Sequence, residues 1–141
     1  MNPDKIQKFI EQDRIRKKSP DKALARSLIE AAERNAKAAS SVQITITTAS
    51  MVFNTFYESF KQLGDANWWL LGFETQTHDA SIELLKSNVD ASFQHLDRFR
   101  QIRHDEQYRG FKIIPETAEE IKQFWTDKGK SVLQETKKEL V

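Results

Sequence analysis

Three prolines and four glycines are the strong backbone interrupters of this 141-residue chain, and they fall where helices would open or close. That placement predicts an all-α fold. Asn2-Pro3 and Ser19-Pro20 each read as an N-cap followed by proline at the first helical position, opening segments over about 3–17 and 20–41. Gly72 and Gly110 read as C-terminal stops. A single domain over 1–141 is expected, with 1–18 as a short N-terminal accessory helix and 20–138 as an antiparallel bundle of four or five core helices.

Within that frame, Leu24, Leu28, Ala31, Ala38 and Val42 recur at helical spacing and predict the inner face of the second segment. The run Val42 to Thr48 alternates β-branched and polar residues and is locally strand-like. Phe53, Phe56, Tyr57, Phe60, Leu63 and Gly64 follow at three- and four-residue steps, so the run is assigned to a long aromatic helix beginning before residue 50. Trp68 and Trp69 cannot both face inward on one helix, which asks for a second covering surface, either a dimer contact or a tight corner. Thr77 is the expected N-cap of a short helix carrying Ile82 and Leu85, with Asp79 in its first turn. Asn88-Val89-Asp90 reads as a break, and Thr117 with Glu120 as a capping box opening a last helix lined by Ala118, Ile121, Phe124, Trp125, Lys128 and Val132.

Between that break and Gly110 lies the most unusual stretch, Asp97 to Arg109, which holds four arginines, a histidine and a tyrosine. At about 100° per residue, Arg100, Arg103, His104 and Gln107 share a stripe with Phe93 and Leu96. Arg98 falls opposite, and Asp105 and Glu106 lie off the stripe as expected solvent-side charges. An inward row of cations needs acidic partners, a second subunit or a phosphate-bearing ligand. Two readings stand side by side: a phosphate site, or an ion-pair network that fixes packing and dimer register through Asp97 or Asp105.

Composition narrows the chemistry. With 22 basic and 21 acidic residues the net charge is only +1, so any anion binding is local. The basic run Arg14 to Lys18 reads as a solvated helix end. There is no cysteine, no Gly-rich phosphate loop, no Gly-x-Ser-x-Gly, no His-Glu-x-x-His and no Glu-x-x-His repeat, so no metal and no cofactor is expected. His78 is expected at the surface or as a cap, and His95 on a helix surface. No apolar run reaches about 18 residues and the N-terminus lacks a signal-peptide core, so a cytoplasmic protein without membrane contact is expected.

Three features together resemble the HEPN family, the all-α domains named for nucleotide binding in higher eukaryotes and prokaryotes. They are the aromatic helix ending at Gly72-Phe73 with Thr77 to Leu85 behind it, the Arg103-His104-Asp105-Glu106-Gln107-Tyr108 helix, and the helix after Thr117. The resemblance spans roughly residues 20–138. It implies a homodimer whose paired polar helices line a shared cleft, an MNT-type nucleotidyltransferase partner in a toxin–antitoxin pair, and metal-independent ribonuclease chemistry in many members. The family motif is an arginine, a polar residue and then a histidine after four to six intervening residues. Arg103 matches the arginine and His104 the polar position, while Tyr108 stands where the histidine is expected. A phenol with a pKa of about 10 is a poor proton shuttle at neutral pH beside an imidazole near about 6.5.

The resemblance therefore implies RNA or nucleotide binding through Arg100, Arg103, Gln107 and Arg109. Catalysis through Arg103, His104 and Tyr108 is the first alternative, with His104 of one protomer facing Arg100 or Arg103 of the other as a possible arrangement. A non-catalytic dimerisation module is the second.

Overall fold

The computed structural model describes residues 1–88 and 90–141, with the Asn88 side chain left aside. The fold is all-α apart from one short strand pair. In chain order the elements are α1 (Pro3–Glu11), β1 (Ile15–Lys17), α2 (Lys22–Ser40), α3 (Ala49–Leu71), β2 (Phe73–Thr75) and α4 (His78–Asn88). A 3-10 turn (Ala91–Gln94) leads into α5 (His95–Arg109), and α6 (Pro115–Phe124) runs through a π turn (Trp125–Gly129) into α7 (Lys130–Glu139). Val89, the middle of the expected break, lies outside the described residues. Among the described residues no helix is long and apolar enough to cross a membrane.

Helix α3 is the axis of the bundle because its sequence is apolar on almost every side: Val52, Phe53, Phe56, Phe60, Leu63 and Trp68 are all fully buried. Helix α2 lies against it through Ala25, Ile29, Ala32, Ala36 and Ala39, one residue on from the expected Leu24, Leu28 and Ala38 face. Leu24 is left exposed. Small residues allow close approach, and the buried Ser59 hydroxyl donates to the Ala32 carbonyl at 2.9 Å. On the other side α4 comes closer still, since a Cβ on Gly64 would meet the Ser81 carbonyl oxygen at 2.3 Å. Asp65 ties the same contact, accepting from the Ser81 hydroxyl and from Thr75 Oγ1 at 3.0 Å. Burial pushes its carboxyl above the usual range, and those two hydroxyls pull it part of the way back.

Residues 14–18 are not a helix end. Ile15 to Lys17 pair antiparallel with Phe73 to Thr75, and Ile15 is buried while Arg16 and Lys17 face solvent. This pair and α1 supply the second surface that the two tryptophans require. Trp68 enters a cluster with Phe9, Ile15, Ala80 and Leu84 and donates from Nε1 to the Ala80 carbonyl at 2.9 Å. Trp69 packs against the main core instead.

The strand-like run 42–48 is neither strand nor helix, because its threonines bond to the local backbone. Thr48 Oγ1 accepts from the Thr45 amide at 2.8 Å and donates to the Gln43 carbonyl at 2.6 Å, so α3 begins only at Ala49. The capping box at Thr117 does not form either. Pro115 opens α6 behind Ile114, Thr117 is buried inside the first turn, and Glu120 pairs with Arg98. The π turn re-phases this last helix, so that Ala118 and Ile121 before it, Trp125 at its start and Leu133 after it face one core.

Candidate functional site

Helix α5 meets the rest of the bundle along a mixed seam. Leu96 and Phe99 are buried, Phe99 packing edge-on to Phe53 with ring centroids 5.9 Å apart. One turn further on the half-buried Ile102 is the last apolar residue packed on the core, and beside it Arg103 and Glu106 reach α3. Glu106 is not a solvent-side charge: its carboxylate accepts from the Ser50 hydroxyl and from Asn54 Nδ2 at 2.8 Å. Arg98 does point outward, to Glu120. Gly110, at φ 68°, closes α5 in the left-handed conformation that glycine adopts without strain.

Arg103 lies over the Tyr57 ring, with its guanidinium carbon 4.8 Å from the centroid. Its Nη1 is 3.7 Å from a Glu58 carboxylate oxygen, too far for a hydrogen bond, and this buried nitrogen has no hydrogen-bond partner. Only 24% of the side chain is exposed. Burial pushes the Tyr57 phenol up to about 12, although the neighbouring Arg103 and Arg100 charges pull it down. Tyr57 is therefore a neutral ring that supports the arginine.

A cleft of about 290 Å³ opens over this pair, lined by Tyr57, His78, Asp79, Arg100, Arg103, His104, Gln107 and Tyr108. Five of the six residues singled out on α5 converge there. The sixth, Arg109, does not; it reaches back toward Asp105 at 4.0 Å. The His104 and Tyr108 rings stand 4.7 Å apart, and Tyr108 is 76% exposed. His104 Nδ1 lies 3.7 Å from Asp105, and Arg100 reaches Asp97 at 3.6 Å.

His78 and Asp79, at the start of α4, form the opposite wall and were assigned no site role from sequence. Asp79 is already engaged, since Arg14 donates to its carboxylate at 2.6 Å. Burial raises that carboxyl, but the Thr77 hydroxyl, Arg14, a backbone amide and Arg100 outweigh it and hold it below the usual range. The cleft thus presents two guanidiniums, two imidazoles and an exposed phenol, while its acid is held by a cation from β1's approach. Among the described residues no group of three or more His, Cys, Asp or Glu is placed to hold a metal ion.

No protein-family model matches this chain, and neither the curated proteins nor the solved structures compared with it give a match. The geometry of the cleft is accordingly the basis for a functional assignment.

Proposed function

We propose that this protein is a HEPN-like homodimeric domain that binds RNA or nucleotide phosphate in the α4–α5 cleft, in partnership with a nucleotidyltransferase. The observation that carries the reading is the buried Nη1 of Arg103. A buried donor without an acceptor costs about 1–3 kcal/mol, a cost removed when the partly exposed guanidinium turns into the cleft to meet a ligand oxygen. A phosphate oxygen suits that position, because guanidinium forks bind phosphate through paired N–H groups and Arg100 stands in the same cleft. The exposed Tyr108 ring beside His104 provides a face on which an unpaired base can stack. A cleft of about 290 Å³ accommodates one nucleotide unit rather than a folded nucleic acid.

The test is fluorescence anisotropy of a labelled single-stranded RNA with the wild-type protein and with Arg103→Ala, at low and raised salt, with sedimentation reporting oligomeric state. The expected result is affinity that weakens as salt rises and is lost in Arg103→Ala while the dimer persists. Loss of the dimer with no RNA affinity in either protein overturns the reading and makes the arginine row a register device.

A further inference from the structure

We propose that the cavity between α2 and the start of α7 is a binding site for a small organic carboxylate with an apolar body. The cavity measures about 400 Å³, within the range of about 300–1,000 Å³ that small-molecule sites occupy, and shares no residue with the α4–α5 cleft. Helices α2 and α7 are tied together on the Leu140 side of it, where Arg26 donates to the Leu140 carbonyl at 2.8 Å and Lys137 pairs with Glu33 at 2.6 Å. Past those ties the space between the helices is floored by Ala36, Leu133 and Trp125, all buried. The charge left over in the cavity is positive. Glu33, its one acid, is held by Lys137, whereas the side chains of Lys37 on α2 and Lys130 on α7 have no hydrogen-bond or ion-pair partner among the described residues.

Trp125, only 2% exposed, adds an indole N–H with no acceptor in the protein, unlike Trp68, whose Nε1 donates to the Ala80 carbonyl. Among the described residues the side-chain atoms sealed from solvent without a hydrogen-bond partner are Arg103 Nη1 and Asn54 Oδ1. The Trp125 nitrogen therefore keeps an opening, and the cavity is the open space it lines. The backbone holds the ring in that pose. Gly129 lies against the Cε3 edge, remote from Nε1, where a Cβ would meet Cε3 at 2.5 Å. Glycine inside a helical run is a destabilising choice, and here it lets the π turn bring the ring onto the backbone. Such turns recur where a helix serves a ligand. A near-buried donor and two free ammoniums around an apolar floor call for an oxyanion, through charge-assisted hydrogen bonds. Inorganic phosphate would leave the floor uncovered, whereas a ring or short chain carrying a carboxylate buries it.

The experiment titrates phenylacetate, its neutral isostere phenylacetamide, and inorganic phosphate into the isotope-labelled full chain while NMR follows the indole N–H signals. The Trp125 signal is assigned by its loss in Trp125→Phe. The expected result is a saturable shift of that signal by phenylacetate with Kd below about 1 mM, a still Trp68 signal, and binding of the amide and of phosphate at least about tenfold weaker. Lys37→Gln and Lys130→Gln should each weaken phenylacetate by about 3–10-fold, and Gly129→Ala should abolish its binding by displacing the ring. Lys22→Gln, exposed at the start of α2, should leave binding unchanged. Circular dichroism confirms helicity, and the lysine variants decide the matter if Gly129→Ala does not fold. Phenylacetate that does not move Trp125 in that range, that binds no better than its amide or phosphate, or that binds the Lys37→Gln/Lys130→Gln double variant as well as wild type overturns the site. No RNA enters these titrations, so their failure leaves the reading of the α4–α5 cleft standing.

Discussion

The two faces of α3 make opposite kinds of contact. Toward α2 the interface is alanine on aromatic, and its buried hydroxyl, Ser59, is satisfied by the Ala32 carbonyl. Toward the second half of α5 the contact is made by Arg103, Glu106, Tyr57 and Asn54, and two buried atoms, Arg103 Nη1 and Asn54 Oδ1, are left without hydrogen-bond partners. A protein that needed α5 only for stability would do better with apolar residues there, since buried ion pairs seldom improve on a well-packed hydrophobic seam. The unsatisfied seam also borders the cleft that gathers Arg100, Arg103 and two of the three histidines. Stability and ligand binding are thereby divided between the two sides of one helix.

The largest effect should come from the satisfied side. Phe60→Ala removes a ring within 5.0 Å of Trp125 and 5.4 Å of Phe124 and is expected to cost about 3–5 kcal/mol in chemical denaturation. Next comes the alkaline limb. Tyr57 holds its proton to about 12 in the folded protein against an ordinary value of 10, so the unfolded chain deprotonates first. Stability is complete below pH 10 and falls as pH rises toward 12, by roughly 2–3 kcal/mol, and Tyr57→Phe should flatten that slope in pH-dependent urea melts.

Smaller again is Glu106→Ala, which takes the acceptor from the Ser50 hydroxyl and leaves the Asn54 amide with only its bonds to Ser50, and should cost about 1–3 kcal/mol. Arg103→Ala is expected to sharpen the division most, changing stability by less than about 1 kcal/mol while weakening RNA at least about tenfold, a loss near 1.4 kcal/mol of binding. Arg98→Ala, which breaks the exposed pair with Glu120 and a contact 5.9 Å from the Phe99 ring centroid, should change either quantity by no more than a few tenths of a kcal/mol, roughly the lower range for such pairs.

What the sequence disclosed follows the same division. Phe53, Phe56, Phe60 and Leu63 announce the core helix because apolar periodicity is a direct record of burial. The strand pair stayed hidden because β1 is three residues long and two of them are cations; only Ile15 buries. The threonine run misled because alternation reports residue type and not where the hydroxyls bond, and here they close a turn before Ala49.

At the site, a helical wheel put Arg100, Arg103, His104 and Gln107 on one inward stripe without knowledge of where α3 stands; all four line the cleft, but only Arg103 turns inward, while Arg100, His104 and Gln107 stay exposed. Glu106 was therefore placed in solvent, whereas the Ser50 and Asn54 groups draw it inward. His78 was out of reach for a different reason: it arrives from α4, carried by the close α3–α4 contact at Gly64, and no spacing within α5 could signal it. Arg109 carried the right chemistry at the wrong angle, beside Asp105.

The most direct measurement is an NMR titration of isotope-labelled protein with a short single-stranded RNA, following backbone amides together with the Arg103 guanidinium and the His78 and His104 imidazoles. The account predicts shifts confined to the start of α4 and to Arg100–Tyr108 on α5, with the Arg103 side chain among the strongest, and a quiet α2. Shifts centred on Arg16 to Lys18, on α2, or nowhere at all would contradict it.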